Sequence, residues 1–202
     1  GLTIALARIA VALKVPCLLL ENVPELLKSA AWREAKDVLL KGGYSLIVLR
    51  INSASCGVAQ IRRRVFVIGV LHCDESMLRS VQHEAAKLNR TPMNAATVRE
   101  CLTSAADTYW YPTRNTHSPC VRSTDAPAST LCCKCSSRPP SGYTARHDDA
   151  GAIAGVHVLS VEELAAIASF PRDYFELCTR TAAGKFIGNS VCPKVAELVG
   201  GW

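Results

Sequence analysis

An α/β fold is predicted by three observations on the first forty residues. Leu2 to Lys14 carries apolar side chains on nearly every face, with Arg8 its only charge before the last position, the pattern of a helix packed on a sheet. A strand-length apolar run from Pro16 to Leu20 follows at once and ends in Glu21 and Asn22, with Pro24 just after to stop regular pairing. Glu25 to Leu40 returns to helical spacing through Leu26, Leu27, Ala30, Ala31, Ala35, Val38 and Leu39, and Gly42-Gly43 closes it. Helix, strand and helix in tight succession belong to the α/β class. In open parallel sheets the carboxyl end of a strand is where ligands bind, so a buried strand delivering Glu21 and Asn22 marks the first candidate site.

Tyr44 to Ile51 and Val65 to Leu71 read as two further strands, joined by a polar stretch whose length allows them to pair antiparallel. Ser76 to Leu88 is an amphipathic helix, and Thr97 to Leu102 a short helical turn. From Thr103 to Val156 the character changes. Pro112, Pro119, Pro127, Pro139 and Pro140 gather among many Ser, Thr and Arg residues without a long periodic segment, so a smaller loop-rich unit is expected over 103–156. That leaves 1–102 as an α/β part and 157–202 as returning helices. Ser160 with Glu163 three residues on is a capping-box signature, and Ser190 to Val199 is the expected last helix.

Composition narrows the function classes. With 202 residues and 49% hydrophobic content the chain can bury an ordinary core. A net charge of +6 permits a polyanionic partner without demanding one. Arg8 and Lys14 interrupt the first apolar stretch and no small-residue cleavage site follows, unlike a secretory signal. No uncharged apolar run reaches the roughly 18 residues of a membrane span, so no membrane partner is expected. Ten cysteines in a chain this rich in core are read as reduced intracellular thiols rather than a disulfide frame. Cys132 and Cys135 have metal-ligand spacing, with Cys120, His117 and His147 near in sequence, but a second close pair is missing and no metal is expected.

Four motifs in fixed order resemble those of the cytosine-5 methyltransferases. They are Glu21-Asn22-Val23 at a strand tip; Cys56-Gly57-Val58-Ala59-Gln60-Ile61-Arg62-Arg63-Arg64 before an apolar strand; Leu159 to Leu164 running on to Phe170-Pro171; and Ile187-Gly188-Asn189-Ser190-Val191-Cys192-Pro193. The resemblance implies the second half of a Rossmann-like, S-adenosylmethionine-dependent methyltransferase sheet, with the 103–156 segment as a small loop-rich target-recognition domain. Asp125-Ala126-Pro127-Ala128-Ser129-Thr130 resembles a short pattern that precedes recognition loops in such enzymes. The implied activity is methyl transfer to carbon 5 of cytosine in DNA.

That chemistry needs a thiolate to attack carbon 6, an acid at ring nitrogen 3, an extruded base and a bound methyl donor. Glu21 fits the acid. Arg62 and Arg64, two apart on an extended segment, share a face and present planar donors to a phosphate or a base carbonyl, with Gln60 on the same face and Arg63 on the other. By resemblance Asn189, Ser190 and Val191 line the S-adenosylmethionine pocket. Arg114, Arg122, Arg138 and Arg146, interleaved with Tyr109, Trp110, Tyr111 and Tyr143, make a candidate DNA-binding face. Cys17 follows a proline, as the family's nucleophile does. It lies only four residues before Glu21 and inside the apolar strand, so it is read as a small buried hydrophobe.

The family's glycine-rich donor turn and separate Pro-Cys loop have no counterpart in these residues, and the first residue is glycine rather than methionine. The expectation is a C-terminal portion, or the second subunit of a split restriction-modification enzyme, active only with an N-terminal partner, in a nucleoid or a nucleus. Two alternatives stand beside it. One is a catalytically inert DNA-binding or regulatory module of the same fold. The other is a tRNA cytosine-5 methyltransferase, ranked lower because no Cys-Phe-Thr signature is present.

Overall fold

A computed structural model describes residues 1–73, 75–90, 95–112, 120–144, 149–151 and 156–201. The chain divides into two compact units, Gly1–Asn52 with Arg63–Pro92, and Ser53–Arg62 with Met93–Trp202. This division does not follow the expected boundaries at 102 and 156. The loop after the second strand and the residues beyond 93 share one unit.

The first unit contains α1 (Leu2–Leu13), β1 (Cys17–Asn22), α2 (Ala30–Lys41), β2 (Tyr44–Asn52), β3 (Arg63–Leu71) and α3 (Glu75–Arg90). Its sheet has the order β1-β3-β2, and β3 runs antiparallel to both neighbours. The expected β2–β3 pairing is present, with Asn52 opposite Arg63 and Tyr44 opposite Leu71. β1, expected as a buried strand, is not one. It is an edge strand of an antiparallel ladder, in which only Leu18 is buried and Leu19 is 51% exposed.

The predicted helix from Glu25 to Leu40 is two elements. Pro24–Lys28 forms a 3-10 turn, and Ser29 is extended, so that its Oγ accepts the Trp32 N–H at 3.0 Å and starts α2 afresh. Ala7 and Ala10 of α1, Ala35 and Leu39 of α2, and Leu18 and Tyr44 of the sheet make one core. The Tyr44 hydroxyl donates to the Val15 carbonyl at 2.6 Å, with the Ala10 carbonyl 2.9 Å away. The opposite face of α1 leaves Leu2, Leu6, Ile9 and Leu13 exposed.

The second unit contains α4 (Val98–Cys101), β4 (Thr108–Trp110), β5 (Val121–Ser123), α5 (Val161–Ile167), α6 (Arg180–Asn189) and α7 (Pro193–Gly200). Leu164 and Ile167 of α5 and Ala183 and Ile187 of α6 pack with Val98, Tyr109 and Leu131. The capping box of α5 forms as the sequence predicts. Its Glu163 is fully buried, accepting from the Ser160 N–H at 2.8 Å, the Thr103 N–H at 3.0 Å and the Thr103 hydroxyl at 2.9 Å, with His157 Nε2 at 2.7 Å. His157 is therefore bound to a buried carboxylate.

Helix α6 is hard to read because Gly184 and Gly188 interrupt its apolar pattern and weaken its propensity. Packing requires both glycines: a Cβ at Gly184 would strike Ser136, and one at Gly188 would strike the Cys132–Cys133 peptide. The last helix starts three residues later than expected. Asn189 closes α6, Ser190 is its C-cap, and Pro193 opens α7 behind Cys192.

Candidate active site

The strand register brings Glu21 to Arg64. Glu21 lies opposite Phe66, and Arg64, two residues before Phe66, projects from the same face of the sheet. Arg64 Nε meets Glu21 Oε1 at 2.9 Å, with the side chains 16% and 26% exposed, and Arg64 Nη1 donates to the Arg63 carbonyl at 2.8 Å. With Nε and Nη1 committed, the guanidinium is held in one orientation. An acid and a planar donor therefore stand side by side, partly desolvated, where their interaction exceeds that of an exposed pair.

Arg64 and the residues around it line a cleft of about 440 Å³ at the end of the sheet, together with Pro24, Glu25, Lys28, Arg50, Ile51, Asn52 and Arg63. Sequence reasoning set Arg63 aside as facing the wrong way and did not single out Lys28 or Arg50. Alternation along β2 and β3 could have placed Arg50, Asn52 and Arg63 on one face, once the register was known.

Gln60 and Arg62 do something else. Gln60 is 1% exposed, and its Oε1 accepts the Leu131 N–H at 3.2 Å. Ala59 and Ile61 on either side exchange main-chain bonds with Ala128 at 2.8 and 2.7 Å. Arg62 is 3% exposed and donates to the carbonyls of Leu131 at 3.3 Å, Gly188 at 3.1 Å and Ser190 at 2.9 Å. The alternation that put Gln60, Arg62 and Arg64 on one open face fails because β3 begins at Arg63 and the preceding segment turns into the other unit. Gln60 and Arg62 are buried clamps on the backbone; neither presents a surface to DNA.

Arg62 thereby fixes the Gly188–Ser190 corner. Asn189 is exposed, and its Oδ1 accepts from Cys133 Sγ at 3.2 Å, which turns the amide nitrogen outward as a donor. The Ser190 hydroxyl donates back to the Ile187 carbonyl at 2.9 Å, and Val191 is half-buried.

Of the arginines expected to face DNA, Arg114 and Arg146 lie outside the described residues. Arg138 is exposed. Arg122 sits 4.0 Å over the Tyr111 ring and donates to the Ser129 hydroxyl, which holds its guanidinium within its own unit. Cys17 is exposed rather than buried, paired with Val70 at the start of β1. Four residues of strand separate it from Glu21 by about 13 Å, too far for both to act on one pyrimidine ring. Among the described residues no group of three or more His, Cys, Asp or Glu side chains could hold a metal ion. Burial pushes the Cys135 thiol up to about 12, the reverse of what a ligand thiolate needs. No described helix is long and apolar enough to cross a membrane.

Known proteins share this architecture. In solved structures the chain is similar to the S. pombe Dnmt2 methyltransferase, with a TM-score of 0.61 at 15% identity over 91% of this chain and 63% of that one. It is also similar to a putative DNA modification methyltransferase encoded within an E. coli prophage, with a TM-score of 0.59 at 18% identity over 96% and 70%. At such identities these likenesses establish the fold. By sequence, the type II methyltransferase M.HgiDI of Herpetosiphon aurantiacus is 30% identical over 194 residues, 95% of this chain and 60% of the relative. M.HindV of Haemophilus influenzae is 29% identical over 203 residues, 98% of this chain and 64% of the relative. The chain thus spans 60% and 64% of the lengths of these two curated relatives. The model of the C-5 cytosine-specific DNA methylases matches residues 1–130 and 113–201. The chain belongs to the C-5 cytosine-specific DNA methylases, a family whose methyl donor is S-adenosylmethionine.

Proposed function

We propose that this chain is the base-handling portion of a DNA cytosine-5 methyltransferase and works with a further segment or subunit that supplies the nucleophilic thiol and the glycine-rich donor turn. The Glu21–Arg64 pair carries this reading. With an extruded cytosine set against this pair, the Glu21 carboxyl shares a proton with ring nitrogen 3, and the Arg64 guanidinium donates to the neighbouring carbonyl oxygen. Both contacts draw electron density from carbon 6 and prepare it for thiolate attack. Arg64 also keeps Glu21 oriented while the charge on the ring changes.

S-adenosylmethionine, when bound, supplies the electrophilic methyl group. Asn189, Ser190 and Val191 form one wall of its site, and Arg62 keeps that wall in place through the Gly188 and Ser190 carbonyls. Arg138 contributes to the DNA face in the region expected to recognise the target, and the similarity to type II methyltransferases makes a restriction-modification role the natural setting.

The need for a partner is supported by the surface of the first unit. Leu2, Leu6, Ile9 and Leu13 recur at spacings of four, three and four on α1, a continuous exposed apolar seam. Beside it in sequence is the edge strand β1, with Leu19 half out in solvent. Such edges are otherwise aggregation sites, and both features fit a surface that the rest of the enzyme covers.

The test is transfer of a labelled methyl group from S-adenosylmethionine to duplex DNA, followed by nucleoside digestion. The proposal expects 5-methylcytosine only when an N-terminal methyltransferase segment is added. A mixture that binds DNA and stays inactive would replace it with the inert binding module.

A further inference from the structure

We propose that Lys28, Arg50 and Arg63 form a phosphodiester-binding subsite, which holds the DNA backbone beside the base engaged by Glu21 and Arg64. The inference rests on the reading of the chain as a DNA methyltransferase portion and adds residues that none of the four sequence motifs singled out for a role. Asn52 lies directly opposite Arg63 in the β2–β3 register, and Arg50 stands two residues earlier on the same face. Diagonal neighbours of this kind are about 7–8 Å apart at Cα, within reach of two long side chains converging on one anion. Lys28 closes the cleft from the 3-10 turn. All three cations are exposed and line the same cleft as the half-buried Arg64, itself tied to Glu21.

The chemistry of the lining selects the ligand. Two guanidinium groups offer planar, two-pronged donation to phosphate oxygens, and the ammonium adds a mobile point charge. One carboxylate, Glu25, lines the same cleft. Three cations against one carboxylate leave the lining with an excess of positive charge, which suits an anionic oxygen group such as the phosphodiester repeated along a DNA backbone. Apolar lining is limited to Pro24 and Ile51, leaving little to stack on a base. The subsite therefore holds backbone and contributes register and affinity without reading sequence.

The experiment measures fluorescence anisotropy of the full chain with a labelled duplex carrying one mispaired cytosine, titrated at several salt concentrations. Lys28→Gln, Arg50→Gln and Arg63→Gln are each expected to weaken binding about equally on unrelated sequences and to reduce the slope of log affinity against log salt by about one. Glu25→Gln should tighten binding. Heparin, a sulfated polyanion, serves as control, and thermal unfolding of each variant checks that the fold is kept. Unchanged salt slopes in variants of a wild-type chain that binds DNA overturn the subsite and leave the methyltransferase reading standing. Equal losses on heparin and DNA overturn the phosphodiester assignment in favour of a general polyanion patch. A folded wild-type chain that binds no DNA at any salt overturns the DNA reading and the subsite with it.

Discussion

Glu21 and Arg64 sit on neighbouring antiparallel strands, two residues off register, with Oε1 and Nε 2.9 Å apart. The two side chains belong to separate motifs more than forty residues apart in sequence, yet the ladder makes them one unit. A carboxylate alone at this strand tip would be free to rotate. Bridged to Arg64, it presents its second oxygen in a fixed direction, which is the positioning that proton sharing with a ring nitrogen requires.

Arg62 should behave unlike Arg64 despite their similar spacing. Arg62→Ala removes a buried guanidinium from three carbonyls, two of them beside Asn189. Leaving such acceptors without donors costs about 1–3 kcal/mol or more, so urea unfolding should show a large loss of stability. Arg64→Ala breaks a single, partly buried ion pair and should cost less, about 1 kcal/mol.

Acid should destabilise the second unit through Glu163. Burial alone would raise this carboxyl, but the N–H groups of Thr103 and Ser160, with His157 and the Thr103 hydroxyl, outweigh it and hold the group below its usual 4.5. A carboxyl depressed in the folded state stabilises above its unfolded value and loses that contribution as pH falls through the folded one. Unfolding free energy should therefore drop below about pH 4.5. Glu163→Gln should lower stability at neutral pH and flatten this acid limb, as followed by denaturant titration across pH.

Gly188→Ala should be costly although the glycine has an ordinary helical conformation. The added methyl meets the Cys132–Cys133 peptide, which is backbone and cannot swing aside. Overpacking of this kind costs about 1–3 kcal/mol. Because the strained residue adjoins Asn189, weaker binding of S-adenosylmethionine by calorimetry on the assembled enzyme should accompany the lower unfolding midpoint.

Charges on the α1 seam should act on assembly alone. Leu6→Glu with Ile9→Glu alters side chains that are 38% and 56% exposed, so the chain should fold as before and be more soluble. Co-purification with the N-terminal segment should be lost.

Local patterns carried much of this architecture. The spans of α1, β2 and β3, the β2–β3 pairing and the Ser160 capping box are legible because each depends on neighbours close in sequence. Misreadings came where distant contacts decide. Ser29 breaks a helix that periodicity carries straight through, and glycines that look like breaks in α6 are there to admit Ser136 and the Cys132–Cys133 peptide. The arginine motif looked like a single strand with one functional face. The chain changes unit between Arg62 and Arg63, so that Arg62 becomes a buried clamp and Arg64 a partner of Glu21. The edge position of β1 depends on which strands are available to pair, and that cannot be read from the strand itself.

The central claim is that Glu21 and Arg64 act as one device, and a double-mutant cycle on methyl transfer by the assembled enzyme tests it most directly. Glu21→Gln and Arg64→Ala should each lower the single-turnover rate by about 10²–10³-fold, and the double variant should fall little below the slower single one, since either change dismantles the same pair. Independent effects that multiply in the double variant, or a full rate retained by either single variant, would contradict the account.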